Sequence, residues 1–153
     1  MNQEYIMKKK MQRAVIFSVI VTLALIIFIA LYIDETRRVQ KTYREQFIAN
    51  LAHTSDSVES YLDGEGDWGL KYRRILNDMS SANSFAFLLN QLSEQQKITV
   101  NELNTIILKY PEQMQERERL EALHQVLEDL QFNLDKGFQE AEELIATIDK
   151  MGH

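Results

Sequence analysis

The sequence predicts an all-α protein, with an N-terminal transmembrane helix continuing into an antiparallel bundle of three long helices and one short one. Three observations predict this. Ala14 to Ile33 reads AVIFSVIVTLALIIFIALYI, with no charge, no Pro and no Gly. From Phe47 onward, apolar residues recur at three- and four-residue spacings, the period of a helix with one buried face. Gly 5 and Pro 1 in 153 residues leave too little punctuation for an all-β fold.

The apolar run fixes the organisation. At about 1.5 Å per residue it makes a helix about 30 Å long, the thickness of a bilayer's hydrocarbon core. Three parts follow: a basic head (1–13), the transmembrane helix (14–33) and an acidic helical domain (34–153). The head carries Lys8, Lys9, Lys10 and Arg13 against Glu4. The run is longer than the apolar part of a cleaved signal peptide, and no A-x-A site follows it, so it reads as an uncleaved signal anchor. Basic residues packed tightly before the span, with Asp34 and Glu35 directly after it, place the head in the cytoplasm and the domain outside the cell membrane. Within the span, Ala14, Ser18 and Thr22 recur every four residues, a small-residue face that lets two such helices approach and dimerise.

No breaker separates Ile33 from Leu62, so the span is expected to continue as a helix into water. Phe47, Leu51, Thr54, Val58 and Tyr61 form its apolar stripe. It ends at Asp63-Gly64-Glu65-Gly66-Asp67, where Gly64 suits a left-handed cap and Asp67 an N-cap. The second helix is expected over about Trp68–Gln95 on Tyr72, Ile75, Met79, Ala82, Ala86 and Leu89, with Leu76, Phe85, Leu88 and Leu92 widening its apolar surface. Lys97 to Thr99 reads as a connection, and Thr99 with Glu102 as a capping box. A short helix on Val100, Leu103, Ile107 and Tyr110 follows, interrupted at Pro111. The last helix is expected over about Glu112–Lys150. Leu120, Leu123, Leu127, Leu130, Leu134, Gly137, Ala141, Leu144 and Ile148 hold a heptad seam, in which Gly137 is the flaw and Gly152 the closing cap.

Composition narrows the function. Cys 0 excludes disulfides and thiolate metal sites. From Glu45 on, acidic residues outnumber basic ones about two to one, and a surface of that sign repels phosphate backbones, so nucleic acid is not an expected partner. No Gly-rich phosphate loop, nucleophile elbow or dinucleotide fingerprint is present, and no enzyme activity, cofactor or metal is expected. Asp63, Glu65 and Asp67 alternate with Gly like the opening of a calcium loop, but the twelfth position, where such a loop needs a bidentate Glu, is Arg74. His53, His124 and His153 have no metal-binding spacing.

The expected partners are therefore the lipid bilayer and a protein, either another chain or a second copy. Arg37, Arg38, Lys41 and Arg44 are candidates for lipid-headgroup contact. Trp68, with Asp63, Glu65 and Asp67, is a candidate contact at the far tip, or a staple over the open end of the core. One local resemblance points elsewhere. Phe47-Ile48-Ala49-Asn50-Leu51-Ala52-His53 resembles the H-box of sensor histidine kinases over about a dozen residues, and the helix that follows would match the second arm of that family's hairpin. It implies a degenerate phosphotransfer hairpin with His53 as acceptor, facing the cytoplasm. Thr54 stands where that family has an acidic residue, and its Arg and Pro further on are absent. The leading expectation is a non-catalytic, single-pass interaction, accessory or sensory subunit at the membrane surface.

Overall fold

The computed structural model describes residues 2–64, 66–132 and 136–151. Among these the chain forms α1 (Asn2–Leu62), α2 (Trp68–Leu88), α3 (Glu94–Lys109), α4 (Pro111–Met114), α5 (Arg117–Phe132) and α6 (Phe138–Ala146), with no strand. Two compact units result, Met1–Val39 and Gln40–His153.

The first unit lies within α1, which is long and apolar enough near its N-terminus to cross a membrane. Over the run 14–33 its large apolar side chains are exposed, from 45% at Ile33 to 69% at Phe17, and none of its most apolar window is buried.

The second unit holds the core. Among the described residues, every buried apolar one lies between Phe47 and Ile148. From α1 come Phe47, Leu51, Val58 and Tyr61, with Thr54 buried between them, all on the expected stripe. The Thr54 hydroxyl donates to the Asn50 carbonyl at 2.7 Å, which removes the penalty of an unpaired buried hydroxyl. α2 runs antiparallel to α1. The Ser57 hydroxyl meets Asp78 at 3.1 Å, whereas the Tyr61 and Tyr72 rings pair at 6.2 Å. α3 returns antiparallel to α2, fixed by the Ser80–Asn104 and Asn83–Asn101 side-chain bonds at 3.0 and 3.1 Å.

The link between α1 and α2 is as the sequence leads one to expect. Gly64 adopts φ 78°, and the Asp67 carboxylate accepts from the Leu70 amide at 3.1 Å as N-cap of α2. Two expectations are corrected. α2 stops at Leu88 instead of continuing to Gln95, and the capping box belongs to Ser93 and Gln96, at the start of α3. Ser93 accepts from the Gln96 amide at 3.2 Å and the Gln96 side chain accepts from the Ser93 amide at 2.8 Å. Thr99 is buried within α3, its hydroxyl donating to the Gln95 carbonyl at 3.0 Å, so it caps nothing.

The larger correction concerns the last helix, which is divided. Pro111 starts the four-residue α4, and α5 and α6 form a hairpin about Gly137. Gly137 has φ 84°, where an L side chain is strained. A Cβ there would stand 3.0 Å from Leu130 Cγ and 3.1 Å from the Val126 carbonyl oxygen. The glycine is therefore a hinge packed against α5, not a weak point in a helix. The seam residues are buried all the same: Leu120, Leu123, Leu127 and Leu130 on α5, Ala141 and Leu144 on α6, and Ile148 just beyond. α6 packs on α3 and α5, so both halves of the seam face one core. Leu134, Gly152 and His153 lie outside the described residues.

Candidate functional site

Three surfaces carry the residues singled out in the sequence. The first is the α1–α2 tip. Trp68 is half exposed and meets the Tyr61 ring edge-on at 4.9 Å. The Tyr61 hydroxyl donates to the Gln115 side-chain oxygen at 3.2 Å, tying this end to the segment after α4. Trp68 thus covers the end of the core with one face and presents the other to water. Asp67 is occupied in capping and Asp63 sits in the turn, while Glu65 lies outside the described residues. Burial pushes the pKa of Tyr61 up, and more strongly that of Tyr72, whose hydroxyl donates to the Ile107 carbonyl at 2.7 Å.

The second surface is a polar groove of about 430 Å³ between α1 and α2, lined by His53, Asp56, Ser57, Ser60, Lys71, Arg74 and Asp78. Helical spacing explains it: 53, 56, 57 and 60 fall on one face of α1, and 71, 74 and 78 on one face of α2. His53 is exposed there, and Lys71 donates to the Ser60 carbonyl. The sequence reading missed this juxtaposition. Its signal was the pair of polar stripes flanking the apolar ones.

The third surface is the basic stretch of α1. Arg38 donates twice to Glu35, at 2.8 and 3.1 Å; the hydrogen bond holds the Glu35 carboxyl below its ordinary range, and the guanidinium is raised in turn. Lys41 stands 3.8 Å from Glu45, and Arg37 and Arg44 are exposed. Arg37 and Arg38 belong to the first unit, Lys41 and Arg44 to the second. Within the apolar run, the Thr22 hydroxyl donates to the Ser18 carbonyl at 2.9 Å, and Ala14, Ser18 and Thr22 are all exposed. The Thr22 polar group is thereby satisfied inside its own helix, which suits an apolar surrounding.

Among the described residues no group of three or more His, Asp or Glu is placed to hold a metal ion. His124 is half-buried, its Nδ1 3.9 Å from Glu128. Compared with known protein families, with curated proteins and with solved structures, the chain finds no match.

Proposed function

We propose that this protein is a single-pass, membrane-anchored interaction subunit, whose uncleaved N-terminal span holds an acidic helical bundle at the membrane surface and whose bundle binds another protein. The observation that carries the reading is the contrast between the two units. The run 14–33 exposes its apolar side chains along its whole length, while most apolar residues of the second unit gather into one core. Exposed apolar area on that scale is costly in water and favourable in lipid. Arg37, Arg38, Lys41 and Arg44 would meet anionic headgroups, and Ala14, Ser18 and Thr22 a second span. Trp68, beside Asp63 and Asp67, would meet the protein partner.

The test is membrane fractionation of the full chain with a topology reporter fused after His153. Retention in the membrane after an alkaline wash, with the reporter outside the cytoplasm, is expected. Release into the soluble fraction without detergent contradicts the anchor.

One observation favours a second reading. His53 is exposed on a two-helix hairpin, in the groove that also presents Lys71 and Arg74, two cations suited to a phosphoryl group. A phosphotransfer hairpin would have to face the cytoplasm, so a cytoplasmic reporter revives it. Its own test is acid-labile phosphate uptake from a kinase, lost in His53→Ala.

A further inference from the structure

The second unit has a second concentration of exposed apolar residues that its own packing does not explain. Phe87 and Leu88, in the last turn of α2, are 52% and 47% exposed. Their place is fixed by one side chain. Gln40 donates to the Leu88 carbonyl at 3.0 Å and accepts from the Asn90 amide at 2.9 Å, clamping the α2–α3 turn to α1. Tyr43 and Phe85, 6.2 Å apart, repeat the contact further along the same helices. Lys41 follows Gln40 in the chain and Arg44 lies one helical turn on, both exposed. This end of the unit therefore combines two large apolar side chains with two cations, in a chain that carries 20 acidic residues against 9 basic ones from Glu45 on.

Apolar and basic residues together are the two signals a protein needs to rest on an anionic lipid surface. Covalent distance supplies the occupant. Gln40 is seven residues beyond Ile33, the last residue of the apolar run, so even a fully extended chain could not carry it more than about 25 Å away.

We infer that the α2–α3 turn is a second membrane contact, in which Phe87 and Leu88 enter the headgroup region of the bilayer that the apolar run crosses, and Lys41 and Arg44 hold anionic headgroups beside them. The inference rests on the anchored reading given above. A membrane contact at both the span and the turn would fix the bundle's inclination to the surface instead of leaving it on a swivelling stalk. It would also leave the α1–α2 tip as the end that faces a partner.

The test uses the full chain, which has Cys 0 and so accepts a single label at any chosen position. Leu23→Cys, Phe87→Cys and Leu70→Cys, each carrying an environment-sensitive fluorophore, are reconstituted in equimolar phosphatidylcholine and phosphatidylglycerol vesicles containing lipid quenchers at both headgroup and acyl-chain depth. Leu70, at the start of α2, is 50% exposed and serves as the reference at the other end of that helix. Quenching and a blue shift are expected at positions 23 and 87 and not at 70. Neutralising one charge, by Lys41→Gln or Arg44→Gln, should lower the ratio of docked to undocked protein about fivefold. Position 87 behaving like position 70, with 23 quenched, overturns the inference and leaves the anchor standing. Absence of quenching at 23 overturns both.

Discussion

Gly137 shows how one residue decides the local fold. In a continuous helix, replacing it by Ala would stabilise the chain by about 1 kcal/mol. In the observed hairpin its φ of 84° and the 3.0 Å approach of Leu130 Cγ reverse the sign. Gly137→Ala is expected to lower stability by about 2 kcal/mol, read as a lower melting temperature of the full chain in detergent by circular dichroism. Tyr72 gives a pH dependence. Its hydroxyl is buried on the Ile107 carbonyl, and its pKa is raised above the ordinary value by burial and by neighbouring Tyr61. An unfolded Tyr ionises near about pH 10, so folding favours the neutral phenol. This stability is complete below about pH 10 and is lost as pH rises towards the folded value. Tyr72→Phe should therefore be less stable at neutral pH, by about 1 kcal/mol for the lost hydrogen bond, and should lose less on alkaline titration.

The elements were legible wherever one apolar stripe belonged to one helix. Phe47 to Tyr61 and Tyr72 to Ala86 are buried as spacing implies, since only a helix puts such positions on one face. The breaks were not legible, for a physical reason. Leu89 and Leu92 lie in the α2–α3 turn and yet are buried, so the apolar period runs on through a place where the backbone does not. Likewise Leu130, Gly137 and Ala141 keep the heptad interval across a hairpin, because both arms turn the same kind of face towards one core. The local cue was the polar pair Ser93 and Gln96, which competes with Thr99 and Glu102 for the same pattern. Ser93→Ala is expected to cost about 1 kcal/mol and to speed amide exchange in the first turn of α3. Thr99→Ser, which keeps the hydroxyl, should leave that turn's exchange unchanged. Gln40→Ala removes both partners of the α2–α3 turn and should open it locally, with faster exchange at Asn90. The polar groove of His53, Lys71 and Arg74 escaped the sequence for a different reason: it exists only once α1 and α2 lie side by side.

At the scale of the whole molecule, the same chain follows two rules for apolar surface. In residues 14–33 it is displayed, and beyond Phe47 most of it is enclosed, with Phe87, Leu88 and Phe132 among the exceptions. A bundle that encloses its own core does not need the span in order to fold, whereas a span with exposed apolar surface needs a medium other than water. That separation is the claim on which the anchored, interacting subunit depends. The most direct measurement is the behaviour of residues 40–153 expressed without the preceding segment. A soluble chain with strong helical circular dichroism and a cooperative thermal transition is the predicted result. An aggregated or unfolded chain would contradict the account, because the enclosed core would then require the span, or a second copy, to form.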